Sequence, residues 1–67
     1  MNAAPPDRLI RMTDVVAKVT LCRSEIYRLI QRGAFPPMVK LGSSSRWSER
    51  EVSEWIEQQK AARPRGE

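Results

Sequence analysis

Histidine is absent from this sequence of 67 residues, and Cys22 is its only cysteine. One cysteine cannot form an internal disulfide bond, and without histidine or a second cysteine it cannot complete a typical zinc site. The sequence therefore predicts a protein of a reducing compartment that holds no metal and no cofactor. We expect the thiol to cap a helix or to pack as a small apolar group, with a redox role as the less favoured alternative.

Long apolar runs are absent as well, since no segment approaches the roughly 18 apolar residues of a membrane span. Residues 1–7 also lack the basic and apolar regions of a signal peptide. We therefore expect a soluble, cytoplasmic protein with no membrane partner. A chain this short buries only about 60% of its unfolded surface, so it should form one domain with a modest core.

The groups that catalysis needs are scarce too. The sequence offers no histidine, no pair of inward-facing carboxylates and no glycine-rich phosphate loop, and its small core cannot enclose a substrate. We predict that the protein is not an enzyme. The net charge of +4 favours a polyanionic partner such as nucleic acid, but composition alone does not identify one.

A first short helix is predicted near the start of the ordered part. Residues 1–7, which contain Pro5 and Pro6, are expected to be a flexible lead-in, followed by a short extended segment. Thr13 is an oxygen-bearing cap, and Asp14 places a carboxylate in the first turn. The helix should therefore cover residues 14–18 or 14–19. Its apolar face consists of Val15, Val16 and Val19.

A second helix is predicted after a tight turn at residues 20–22. Its apolar residues, which recur at helical spacing, are Ile26, Leu29 and Ile30. Gly33 supplies the left-handed residue at which helices commonly end, and Pro36 and Pro37 prevent any continuation. This helix should cover residues 23–32.

The chain after the prolines predicts a β-hairpin and a third helix. Residues 38–41 and 46–47 are strand candidates joined by a small polar loop. Ser48 and Glu51 form a capping box, in which each side chain satisfies a free backbone amide. The third helix should cover residues 49–60, followed by a flexible tail. Its inward residues are Val52, Trp55 and Ile56, and Trp47 and Val52 occupy the hydrophobic-staple positions. Both tryptophans are therefore expected in the core rather than as stacking platforms for single strands.

Two helices joined by a tight turn, then a hairpin and a third helix, describe a winged helix-turn-helix, mainly α with a small β-hairpin. The domain should span residues 8–59, and residues 60–67 should form the tail. The same ordered motifs resemble the AlpA family of prophage regulators. The resemblance is carried by Arg8-Leu9-Ile10-Arg11, Cys22-Arg23-Ser24-Glu25-Ile26-Tyr27-Arg28-Leu29-Ile30, Gly33-Ala34-Phe35-Pro36, Val39-Lys40-Leu41-Gly42, Arg46-Trp47 and Glu51-Val52-Ser53-Glu54-Trp55-Ile56.

This resemblance covers about residues 8–58 and implies a MerR-like or excisionase-like winged fold in a bacterial, nucleoid-associated protein. Members of the family are small DNA-binding proteins of prophages and genomic islands. They either activate transcription of an integrase gene or act as excisionases that direct the integrase toward removal of the element. Two positions depart from the family pattern, because glycine is usual where this chain has Thr20 and serine where it has Cys22.

Charge is distributed unevenly along the chain. Between residues 18 and 46, six basic residues are opposed by one carboxylate, Glu25. These basic residues are Lys18, Arg23, Arg28, Arg32, Lys40 and Arg46. The predicted third helix is acidic and would repel a polyanion. The asymmetry assigns DNA binding to the second helix and the hairpin.

The outward face of the second helix is the predicted recognition surface. Its residues are Arg23, Ser24, Tyr27, Arg28, Gln31 and Arg32. Arginine can bond a guanine edge and glutamine an adenine edge, whereas serine and tyrosine can reach phosphates. The alternative is a solvated helix face on which an arginine pairs with Glu25, and Arg32 alternatively complements the helix dipole.

The hairpin is the predicted wing. Its DNA-contacting residues are Lys40, Gly42, Ser43, Ser44, Ser45 and Arg46. The loop 42–45 has no bulky side chain, so it can press on phosphates or enter a minor groove, and the alternative is an ordinary hairpin turn.

We thus predict sequence-specific binding of double-stranded DNA, with an excisionase role favoured and activation of an integrase gene as the alternative. One such module covers only a few base pairs, so integrase and neighbouring copies of the protein are expected partners. A competing hypothesis is a protein-interaction adaptor, which would not need the basic segment.

Overall fold

The computed structural model describes residues 6–64, and the expectations for residues 1–5 and 65–67 lie outside this range. Its elements in chain order are β1 (Leu9–Ile10), α1 (Met12–Val19), α2 (Arg23–Gln31), β2 (Val39–Leu41), β3 (Ser44–Ser48) and α3 (Glu49–Ala62). This order of two short helices, a hairpin and a third helix confirms the predicted winged helix-turn-helix.

The sheet contains one strand more than the predicted hairpin. β3 lies in the centre, with β1 and β2 antiparallel on either side. β1 comes from the segment that was predicted only as extended, and its Ile10 pairs with Trp47 of β3. The strand ties the beginning of the domain to the wing and to the start of α3.

The core is small and draws on almost every element. Its buried apolar residues are Ile10, Val15, Ile26, Phe35, Trp47 and Val52. Trp47 and Val52 are fully buried, which confirms the two staple positions. The other predicted apolar positions of the three helices pack against this cluster, so the predicted inward faces are confirmed.

The start of α1 differs from the prediction. The helix begins at Met12 with Arg11 as N-cap, so Thr13 lies inside the first turn and does not cap it. The reason is the carboxylate of Asp14, which accepts a hydrogen bond from the Arg11 backbone N–H at 3.1 Å. An acidic residue three positions after the cap satisfies the cap residue's own amide and favours the positive helix end.

The ends of α2 and α3 also shift. α2 ends at Gln31, with Arg32 as C-cap, and Gly33 has a φ of +72°, as expected for the left-handed residue after a helix. α3 continues to Ala62, so the predicted helix end at residue 60 was wrong, and residues 60–62 are helical. Their alanines favour this extension.

The N-terminus of α3 confirms half of the predicted capping box. Ser48 Oγ accepts a hydrogen bond from the Glu51 N–H at 3.1 Å. The Glu51 carboxylate accepts no hydrogen bond within residues 6–64. The carboxylate that accepts hydrogen bonds from the start of α3 belongs instead to Asp7. Asp7 accepts from the Ser48 hydroxyl and from the Arg50 N–H, the latter at 2.9 Å.

These hydrogen bonds hold the pKa of Asp7 below its usual range, chiefly through the Ser48 hydroxyl and then the Arg50 amide. The domain boundary predicted at residue 8 stays a prediction, but Asp7, one residue earlier, already contacts the start of α3.

Candidate nucleic-acid interface

The turn between α1 and α2 contains three residues, as predicted, and sets the relative direction of the two helices. Thr20 takes the left-handed conformation, with φ 55° and ψ 36°, and its N–H bonds the Val16 carbonyl at 2.7 Å. This is the geometry in which glycine is usual, and threonine occupies it at a steric cost. Its hydroxyl donates to the Val19 carbonyl at 2.7 Å.

Cys22 is the N-cap residue of α2, but its side chain makes no capping hydrogen bond. A thiol is a weak acceptor, so the free amides of the first turn of α2 lack the partner that a serine would provide. The side chain is exposed rather than partly buried. Helix α2 is consequently positioned by its apolar face and not by its cap.

Helix α2 presents the predicted recognition residues to solvent. Ile26 is fully buried, and Leu29 and Ile30 pack against the core, so the opposite face is free. All six predicted residues are exposed: Arg23, Ser24, Tyr27, Arg28, Gln31 and Arg32. The large Tyr27 side chain remains 43% exposed. The structure therefore brings these six residues together on one surface, where their side chains are accessible.

One member of this surface already has a charged partner. Arg28 Nη1 lies 2.7 Å from Glu25 Oε1, one turn earlier on α2. This is the arginine–glutamate pair that the alternative interpretation of the helix predicted. The Arg28 side chain is 61% exposed, and pairs of this kind contribute about 0–1 kcal/mol, so the contact does not prevent the guanidinium from turning to another acceptor.

The wing is a tighter hairpin than the sequence predicted. Leu41 pairs with Ser44 and Lys40 with Ser45, which leaves only Gly42 and Ser43 as the turn. The predicted loop 42–45 was therefore two residues too long, because Ser44 and Ser45 complete the ladder of β3. Gly42 has a φ of +63° and Ser43 does not have a positive φ, a pattern typical of a type II′ turn, which matches the twist of the strands.

Two basic side chains stand at the base of this turn. Lys40 Nζ donates to Ser45 Oγ at 3.0 Å, and Arg46 Nη1 donates to the Ser45 carbonyl at 2.9 Å. Lys40 is exposed and Arg46 is half-buried. Neither side chain forms an ion pair within residues 6–64, so the wing carries two uncompensated positive charges beside a tip with no bulky side chain.

Lys18 is also exposed, but unlike Lys40 and Arg46 it has a carboxylate nearby. Its Nζ lies 3.9 Å from the Glu49 carboxylate, which also accepts a hydrogen bond from Arg8 Nε at 2.9 Å. The hydrogen bond from Arg8 is the main cause that lowers the pKa of Glu49. The charge of Lys18 therefore serves the contact between α1 and α3, and the basic surface is concentrated on α2 and the wing.

Sequence reasoning did not include Arg11 among the basic residues of the interface. Its side chain is exposed at the N-terminus of α1, where the first helix of a helix-turn-helix commonly approaches the DNA backbone. The signal that could have identified it was a basic side chain directly before the first helix of the predicted helix-turn-helix.

The match to known proteins covers all the elements described above. The family described as Prophage CP4-57 regulatory protein (AlpA) matches residues 8–60, from β1 through most of α3. The chain belongs to the AlpA family. AlpA family regulators bind DNA, and the family is not one of enzymes. The resemblance drawn from the motifs is thereby confirmed.

A phage relative of this AlpA family member shows how far the similarity extends. The protein described as uncharacterized protein ORF88 of Enterobacteria phage P4 is 41% identical over 61 residues. The aligned region covers 90% of this chain and 69% of the phage protein.

None of the helices within residues 6–64 has both the length and the apolar character that crossing a membrane requires.

Proposed function

We propose that this protein binds duplex DNA with α2 in the major groove and the wing against the backbone or the minor groove. The observation that supports this most directly is the exposure of all six recognition residues on one face of α2, whose opposite face is buried. A helix of this size fits the major groove, and a short hairpin tip can follow the adjacent phosphates.

Within this arrangement, α2 supplies the sequence preference. Arg28 and Gln31 have the side chains that bond guanine and adenine edges, and a good bidentate contact discriminates against the wrong base by about 1–3 kcal/mol. The exposed ion pair between Arg28 and Glu25 contributes less free energy than that. The Arg28 guanidinium therefore gains by leaving Glu25 and bonding a base edge. Ser24 and Tyr27 would contact phosphates.

The wing supplies affinity with little sequence preference. Lys40, Arg46 and the amides of the Gly42–Ser43 turn can approach phosphates, because the turn has no side chain larger than serine. Such contacts orient the domain on the duplex and fix the position of α2 in the groove. Arg32, which ends α2, would add a further positive charge near the backbone.

The proposed role of this binding is excision, with integrase as the partner. Membership of a prophage regulatory family supports an element-encoded function, and the small domain offers little surface for contacts with a polymerase. A protein of this kind would fix a bent DNA path between integrase-bound sites. Activation of an integrase gene is the alternative role of the same DNA-binding surface.

DNA binding is tested by titrating one duplex at a series of salt concentrations. Four to six phosphate contacts would release counterions and give a log–log slope of roughly −4 to −5 for each bound protomer. A flat salt response would contradict duplex binding.

The excision role is tested separately, with purified integrase at a fixed amount, attachment-site DNA and no transcription. Excision should then depend on this protein. Equal recombination without it, together with integrase transcription that requires it in cells, would favour the activator role.

A further inference from the structure

An acidic groove runs between α3 and the segment that follows α2. It has a volume of about 550 Å³, which falls in the range of ligand-binding clefts. Its wall on one side is formed by Pro36 and Pro37, and on the other by α3, with Trp55 between them. None of the recognition or wing residues lines this groove, so DNA binding by α2 and the wing does not account for it.

The aromatic part of the groove is held in place by two contacts. The ring of Trp55 packs edge-to-face against Phe35, with 4.8 Å between the ring centroids. Its indole N–H donates to the Ala34 carbonyl at 2.7 Å. Trp55 remains partly exposed in this fixed orientation, and a fixed, partly exposed indole is a favourable surface for proline or for a guanidinium group.

Two carboxylates on the α3 wall have no cationic partner among the described residues. Glu51 and Glu54 are exposed and form no ion pair within residues 6–64, whereas Glu49 pairs with Arg8 and Glu57 with Lys60. Residues three apart in a helix lie on the same side, with about 5–6 Å between their Cβ atoms. The groove therefore attracts a segment with two positive charges at similar spacing.

We propose that this groove binds the segment Arg63-Pro64-Arg65 of a second copy of the protein. In an extended chain, side chains two residues apart point to the same side and are about 7 Å apart, so two long arginine side chains can reach two carboxylates whose Cβ atoms are about 5–6 Å apart. Pro64 then faces the opposite, proline-containing wall. Arg63 already has an extended backbone, with φ −68° and ψ 152°, and Pro64 prevents the helix from continuing.

The same segment of the same chain does not fit this groove. Arg63 follows α3 directly, and nine residues of helical rise place it about 13 Å along the axis from Glu54. The chain would have to reverse direction at once to bring Arg63 back beside the carboxylates. A groove on one copy and a segment on the next form a head-to-tail contact, which can be repeated along a row of copies.

The role of this contact, which is to place copies side by side on DNA, rests on the proposed function. A weak contact becomes effective there, because two copies bound at adjacent sites have a high effective concentration. The contact itself is a property of the free protein. It can therefore be tested without DNA, and loss of duplex binding would reject the proposed function without affecting this result.

The test is a concentration series of the complete isotope-labelled protein, observed by NMR in the absence of DNA. The indole N–H signal of Trp55 and the amide of Arg63 should shift together as the concentration rises. Glu54→Arg and Arg63→Glu should each weaken this association by about fivefold or more, since each replaces an attraction by a repulsion. An equal mixture of the two variants should restore it, because each copy then meets a complementary partner.

Glu57→Arg is the matched control, because it makes the same charge change on the same helix but outside the groove. It should associate like the unmodified protein. The proposal is overturned if the Trp55 signal does not shift up to about 1 mM, if Glu54→Arg behaves like Glu57→Arg, or if the mixture fails to restore association. A comparison of circular dichroism spectra confirms that each variant is folded.

Discussion

At the scale of single residues, the interface depends on two positions that lack the residue best suited to their backbone. Thr20 holds a left-handed conformation that carries a steric penalty of about 1–2 kcal/mol for a residue with a Cβ. Cys22 begins α2 without a side-chain cap. The turn keeps its geometry because the buried faces of α1 and α2 determine it, so the deviation reduces stability rather than changing the fold.

We therefore expect Thr20→Gly to stabilise the protein. Relief of the steric penalty exceeds the greater backbone entropy of glycine in the unfolded chain, for a net gain of roughly 0.5–1 kcal/mol. The melting temperature should rise by about 2–6 °C in thermal unfolding followed by circular dichroism. Thr20→Ala, which retains the Cβ, should give no such rise, and equal behaviour of the two variants would show that the Cβ is not the source of the penalty.

At the scale of elements, α3 begins with a cap that comes from a distant residue. Asp7 accepts hydrogen bonds from the Ser48 hydroxyl and the Arg50 amide, 41 and 43 residues further along the chain. The same carboxylate favours the positive end of the helix. The contact joins the segment before β1 to the junction of β3 and α3, and so supports the base of the wing.

Asp7→Asn should consequently lower the stability of the protein near neutral pH. Because the folded state lowers the pKa of Asp7, its contribution is complete above the unfolded pKa and is lost as the pH falls through the folded pKa. The difference in melting temperature between the two proteins should therefore shrink in acid. Glu54→Gln, which removes a carboxylate that forms no hydrogen bond or ion pair within residues 6–64, is the control. A difference that did not depend on pH would assign the effect to packing.

The two elements that we propose to bind DNA should respond differently to substitution. Arg28→Ala should cost about 1–3 kcal/mol on the specific site and relax the preference at one base position. Lys40→Ala should instead weaken specific and random duplexes alike and reduce the salt slope by about 1. Binding titrations with both duplexes measure this contrast. If Arg28→Ala weakened both duplexes equally, Arg28 would be a phosphate contact. Its guanidinium would then leave Glu25 for a phosphate and not for a base edge.

At the scale of the whole molecule, the surface divides into a basic region on α2 and the wing and an acidic region on α3. Four of the five basic side chains of α2, its C-cap and the wing form no ion pair within residues 6–64, whereas the carboxylates of α3 either pair with Arg8, Lys18 and Lys60 or line the groove beside Trp55. A polyanion is attracted to the first region and repelled by the second. The DNA-binding surface and the protein-binding groove that we propose therefore lie on separate regions and do not compete for the same residues.

Much of the fold and of the candidate interface followed from the sequence alone. The inward faces of the helices, the left-handed Gly33 after α2, the hydroxyl cap of Ser48 and the staple of Trp47 and Val52 were all predicted correctly. Each of them is encoded within one or two turns of helix, where the spacing of apolar residues and the chemistry of the cap act locally. The exposure of the recognition residues follows from the same periodicity.

Only the tertiary structure decided which distant groups meet. The pairing of β1 with β3, the cap from Asp7 and the contact of Lys18 with Glu49 join parts of the chain that no local pattern relates. The tight turn of the wing also depended on strand pairing, since the serines of β3 carry little strand preference of their own. These features arise from the register of the sheet and the packing of the core, which bring together residues that are far apart in the chain.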